Sequence, residues 1–74
     1  MIIKKIVKQI IRNISGVEKI KINDSFKHDL YLDKLDIVDL VMECESYFDI
    51  IIEDEKFESW AIVADVIETV KGEL

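Results

Sequence analysis

Apolar residues recur at three- and four-residue steps at the start of the chain, at Ile3, Ile6, Val7, Ile10, Ile11 and Ile14. Lys4, Lys5, Lys8, Gln9 and Arg12 fall outside that series. The spacing places the apolar set on one stripe of an amphipathic helix. Gly16 suits the end of that helix, near Ser15, because a residue without a β-carbon adopts the left-handed backbone of a C-cap at little cost. The period then breaks. Residues 17–32 contain the turn-prone Asn23, Asp24 and Ser25, with Val17, Ile20, Ile22, Phe26 and Leu30 available to pin an ordered loop onto the helices.

Asp33 is a good N-cap, and Asp36 stands three positions later, where a capping-box acid belongs. A second helix is therefore expected from about residue 34. Its buried stripe is Ile37, Leu40, Val41, Cys44 and Phe48, while Asp36, Asp39, Glu43, Glu45 and Ser46 occupy other angles. Residues 54–59 suit a short third helix. Ile62, Val63, Val66, Ile67 and Val70 mark a fourth by their spacing, although isoleucine and valine are weaker helix formers than leucine. The sum is an all-α four-helix bundle with three longer helices, one short one, and a long ordered loop between the first two.

Seventy-four residues fit one small domain, 1–74, able to bury only about 60 to 65% of its unfolded surface. Half the residues are apolar and about a third charged, a globular balance. One cysteine and one histidine exclude an internal disulfide and a Cys/His zinc set. Polar or charged residues at 8, 9, 12 and 13 break the apolar N-terminus, which argues against a signal peptide or membrane insertion and makes a cytoplasmic protein the expectation. Charge is uneven: residues 1–21 hold six Lys/Arg and one acid, residues 22–74 four Lys and fifteen acids. Such an acidic body repels nucleic acid and suits a partner with a basic patch.

Residues 29–36 read DLYLDKLD. Around them, Ser25-Phe26, the run LDIVDLVM over 35–42, Glu45, Phe48-Asp49, Ile52 and Asp54-Glu55 complete a register that runs almost without gaps from Ile6 to about Gly72. In this register the chain resembles the acyl carrier proteins, whose motif here is D-L-G-x-D-S-L-D, with the serine carrying 4'-phosphopantetheine. Lys34 stands at the serine position, Tyr31 at the glycine position, and Glu53 where the family has proline. The resemblance implies the four-helix fold and a degenerate attachment position at Lys34. An alkylammonium is protonated at neutral pH and lacks the oxygen nucleophile that a phosphodiester needs. No pantetheine cofactor is expected; Ser25 lies in the upstream loop, Ser46 three turns along the helix, and Tyr31 offers only a phenol.

The resemblance also implies docking of the second helix and the start of the third onto basic patches of partner enzymes such as acyltransferases or ketosynthases. Candidate contacts are Leu35, Asp36, Asp39, Met42, Glu43, Glu45, Asp54 and Glu55. Between Asp29 and Glu58 eleven acids face only Lys34 and Lys56. Lys34 itself is expected to pair loosely with Asp33 or Asp36. Phe57 and Trp60, larger than the residues common at those positions, are expected either to fill space between helices or to pack outside the short helix. Cys44 reads as a small buried hydrophobe. Asp29, Asp33 and Asp36 are a weak candidate set for a hard cation, and no metal site is expected.

No paired base, nucleophile or glycine-rich anion cradle accompanies the carboxylates, so an enzyme is not expected. The leading reading is a monomeric, non-covalent docking module of a fatty-acid, lipid or polyketide-type acyl pathway. The runner-up is a conventional acyl carrier protein bearing 4'-phosphopantetheine, if position 34 is an altered serine or another residue accepts the arm. The third is a structural helical interaction protein.

Overall fold

The computed structural model describes residues 2–74. Helix α1 spans Ile3–Ser15, α2 Lys34–Phe48, α3 Asp54–Phe57 and α4 Val63–Glu73, and no strand forms among the described residues. Helix α1 packs against both α2 and α4. Val7 and Ile11 from α1, Leu40 and Cys44 from α2, and Val63, Val66 and Val70 from α4 are fully buried at their shared centre. These are the residues that the three apolar stripes select.

The end of α1 and the starts of α2 and α4 are closed by local chemistry. Gly16 adopts φ +75°, and its N–H donates to the Arg12 carbonyl at 2.9 Å. The Arg12 guanidinium then holds the Glu18 carbonyl at 2.7 Å, fixing the exit of the chain. At the start of α2, the Asp33 carboxylate accepts the Asp36 N–H at 2.9 Å and the Asp36 carboxylate accepts the Asp33 N–H at 3.0 Å. This is the reciprocal capping box expected from the sequence. Helix α4 uses half of such a box: Asp65 accepts the N–H groups of Ala61 and Ile62 at 2.8 and 3.0 Å. Isoleucine has no side-chain acceptor to complete it.

The loop over residues 17–32 is ordered because its backbone pairs with the start of α4. Phe26 N–H donates to the Ala61 carbonyl at 3.1 Å, while Val63 and Ala64 N–H groups donate to the Asp24 and Ile22 carbonyls at 3.1 and 2.8 Å. The loop thereby satisfies helix-start donors that have no partner within the helix. Ile20, Phe26, Leu30 and Leu32 anchor it in the core. Ile22 does not; it is 39% exposed, because its contribution is the backbone carbonyl rather than the side chain. Helix α3 stops earlier than the expected residue 59, since Ser59 and Trp60 N–H groups bond three residues back, to Lys56 and Phe57, and tighten the turn.

Candidate functional site

Lys34 is the first residue of α2, directly after the capping aspartate. Its side chain is exposed, and among the described residues no carboxylate lies within 4.0 Å of its ammonium. The expected pairing with Asp33 or Asp36 is absent. The cause is the capping box, which directs both carboxylates at backbone N–H groups. Ser25 lines the same recess as Lys34 and its Oγ accepts the His28 N–H at 3.1 Å, whereas Ser46 is exposed far along α2. Tyr31 is 81% exposed at φ +54°, a left-handed backbone between the buried Leu30 and Leu32.

A half-open recess of ≈ 650 Å³ lies beside Lys34, with Phe26, Leu32, Ile37 and Trp60 as its apolar lining. A second, of ≈ 380 Å³, is lined by Lys34, Ile37, Phe57, Glu58 and Trp60. Phe57 and Trp60 thus form walls of open clefts, and the expectation that they fill space between the helices is corrected. Both rings are half-buried and meet edge to face, with centroids 6.3 Å apart. The Trp60 indole N–H donates to Thr69 Oγ1 at 2.9 Å, which ties the ring to α4 and keeps it out of the bundle centre.

The candidate docking residues separate into free and committed groups. Leu35 and Met42 are 75% and 60% exposed, and Asp39, Glu43, Asp54 and Glu55 are exposed as well. Asp39, Met42 and Glu43 lie together beside Ile14 of α1, whereas Asp54 and Glu55 gather with Glu53 and Glu58 around α3. Asp36 and Glu45, expected among the outward contacts, are half-buried and bound to backbone. Asp36 closes the capping box, and Glu45 Oε2 accepts the Ile52 N–H at 2.8 Å, clamping the turn that follows α2. Sequence reasoning missed Tyr31, Val38, Tyr47 and Ile51 as exposed apolar groups. Val38 and Tyr47 interrupt the polar face of α2, which was the available signal for those two.

Cys44 is fully buried, and burial, aided by the charges of Glu43 and Glu45, pushes its thiol up to about 12. It is a packing residue with no accessible thiolate at neutral pH. Asp29, Asp33 and Asp36 do not converge: Asp29 accepts the Ser25 N–H at 2.7 Å and the other two hold the cap. No group of three or more His, Cys, Asp or Glu placed to hold a metal ion occurs among the described residues.

Three helices around one apolar core, a fourth short helix, and a capped helix start beside an open recess define a small helical carrier-type fold. An acyl carrier protein of Clostridium acetobutylicum is 43% identical over 68 residues, covering 89% of this chain and 88% of that one. An acyl carrier protein of Exiguobacterium is 43% identical over 58 residues, covering 78% and 73%. A Mycobacterium tuberculosis structure assigned to the acyl carrier proteins superposes with a TM-score of 0.92 at 26% identity, covering 97% of this chain and 99% of that one. The Thermotoga maritima acyl carrier protein gives 0.83 at 31% identity, covering 99% and 91%. No family model matches the chain. The chain belongs to the acyl carrier protein family, whose members are carriers and not enzymes.

Proposed function

We propose that this chain is an acyl carrier protein-like module without the pantetheine arm, acting as a non-covalent acidic docking partner in a fatty-acid, lipid or polyketide-type acyl pathway. The observation that carries the reading is Lys34 at the first position of α2, where the family motif places its attachment serine. No hydroxyl is offered there. Leu35, Asp39, Met42, Glu43, Asp54 and Glu55 are the surface for enzymes with basic docking patches, with Asp36 and Glu45 adding to the field from their bonded positions. Contacts of this kind raise the association rate and weaken with salt. The module acts as a single-domain monomer in the cytoplasm.

The test is intact mass after co-expression with a broad-specificity phosphopantetheinyl transferase. The unaltered chain is expected to keep its sequence mass, and Lys34→Ser to acquire one 4'-phosphopantetheine if the rest of the site is still readable. A covalently bound arm on the unaltered chain overturns the reading. The second reading, a working carrier that uses another acceptor, would then take its place; it is supported by the acyl carrier protein relatives at 43% identity. Binding to ketosynthases or acyltransferases at low and high salt separates docking from a purely structural helical role.

A further inference from the structure

We propose that the outer face of α1 docks on an anionic phospholipid surface and holds the chain there peripherally, without inserting a helix. This goes beyond the acidic docking reading and stands independently of it. Helix α1 holds three lysines, one arginine and no acid, in a chain of net charge −6. Lys4, Lys8 and Arg12 follow at four-residue steps and Lys5 stands beside them, so the four cations share one face. Lys4 and Lys5 are exposed, Lys8 is half-buried, and none of the three has a carboxylate within 4.0 Å among the described residues. Arg12, tied to the Glu18 carbonyl, adds its charge. Folding does not account for this placement. The first turn of α1 holds no acid, Ile2 supplies no side-chain cap, and cations at that end oppose the helix dipole.

An apolar element borders the cationic face. Ile2 is 64% exposed and, with Ile3 and Ile67, lines a half-open recess of ≈ 280 Å³ whose other two residues are Lys4 and Lys71. Lys71 is held only by Glu68, at 4.0 Å. Cations around an exposed aliphatic group match the headgroup–acyl boundary, where ammonium groups meet phosphates and an apolar side chain leaves water. Nucleic acid offers the phosphates without the apolar phase, and a second copy of this chain brings a net −6 of its own. The acidic remainder does not prevent the contact. The apolar stripe of α1 faces α2 and α4, so their carboxylates lie behind the lysines, with helix axes about 8–10 Å apart. The Debye length at physiological salt is about 8 Å, so the near face dominates the field at the lipid.

Co-sedimentation of the full chain with vesicles of phosphatidylglycerol and phosphatidylcholine in equal parts tests the contact. Binding should saturate at about 0.1 M salt and be lost at about 1 M. Lys5→Gln and Lys8→Gln should each weaken partitioning about fivefold, the share of one lysine near an anionic surface. Ile2→Ser should weaken it about three- to tenfold through the lost apolar contact. Lys27→Gln, which removes a cation away from α1, should partition as the parent does. Removing a first-turn cation does not threaten the helix, and circular dichroism checks that each variant keeps its fold. Equal binding to vesicles of phosphatidylcholine alone overturns the proposal, as does parent-like partitioning in the Lys5→Gln/Lys8→Gln double variant. Short duplex DNA bound as tightly as the vesicles, with Ile2→Ser unchanged, overturns it in favour of nucleic acid. A lipid-free dimer in sedimentation velocity that the double variant abolishes overturns it in favour of a second copy. None of these outcomes touches the mass measurement that tests the missing arm.

Discussion

Replacing Tyr31 with glycine should stabilise the protein. The ring is 81% exposed, so its removal gives up little packing, and the backbone sits at φ +54°. That conformation is over-determined by its neighbours. Leu30 N–H donates to the Ser25 carbonyl at 3.0 Å, Leu32 N–H donates to the Phe26 carbonyl at 2.8 Å, and both leucines are buried. A residue with a β-carbon pays about 1–2 kcal/mol in the left-handed region. Glycine removes that cost but adds about 0.4–1 kcal/mol of unfolded-chain entropy. The net gain is about 0.5–1 kcal/mol, or about 2–8 °C in Tm for a domain of this size.

Two further variants isolate the cause. Tyr31→Ala deletes the ring and keeps the β-carbon, so it should stay within about 0.5 kcal/mol of the parent. Gly16→Ala runs the experiment in reverse: Gly16 has φ +75° and open space around an added β-carbon, so any loss is backbone strain, of about 1 kcal/mol. Thermal unfolding followed by far-UV circular dichroism, with urea midpoints at constant m-value, reads all three. A Tyr31→Gly protein no more stable than Tyr31→Ala would refute the reasoning. The left-handed backbone also supplies a physical reason for the family's glycine at this position.

Glu45→Ala should cost about 1–3 kcal/mol, because it leaves the part-buried Ile52 N–H without its acceptor; a melting temperature equal to the parent's would show that this clamp contributes nothing. Cys44 should resist thiol reagents in the folded protein at neutral pH and react once urea unfolds it, and rapid modification without unfolding would contradict its burial. Its thiol titrates near 9.0 when unfolded and is held up to about 12 when folded. Its contribution to stability is therefore complete below pH 9 and lost as pH rises toward 12. Urea midpoints should fall more steeply across that window in the parent than in Cys44→Ala, and parallel curves would count against the assignment.

The apolar stripes of α1, α2 and α4 were legible because each helix buries one face, which imposes a three-to-four-residue period that local inspection detects. Gly16 and the Asp33–Asp36 box were legible because their chemistry is confined to four or five consecutive residues. Contacts that join separate elements left no such mark. Glu45 reaches Ile52 across the turn after α2, and Trp60 reaches Thr69 across the start of α4. Neither partner could be named from spacing, so Glu45 read as an outward acid and Trp60 fitted interior filling and packing outside the short helix equally. Lys34 was misjudged for a related reason. Proximity to Asp33 and Asp36 suggested an ion pair, but the box that sequence had already identified uses both carboxylates.

The acidity of this chain serves two purposes, and the hydrogen bonds separate them. Asp24, Asp29, Asp33, Asp36, Glu45 and Asp65 each accept a backbone N–H at a turn or helix start. With only two glycines and no proline, the chain has few residues that shape turns through intrinsic backbone preference. Carboxylate-to-amide locks take over that task, so six of the fifteen acids beyond residue 21 are part of the architecture. Net charge alone therefore overstates the surface available for recognition. Charge reversal at Asp39, Glu43, Asp54 or Glu55 should act on salt-dependent association and leave the fold intact. The same change at Asp36 or Glu45 disturbs a cap or a clamp first, so any loss of docking there must be corrected for lost stability before it is read as a contact.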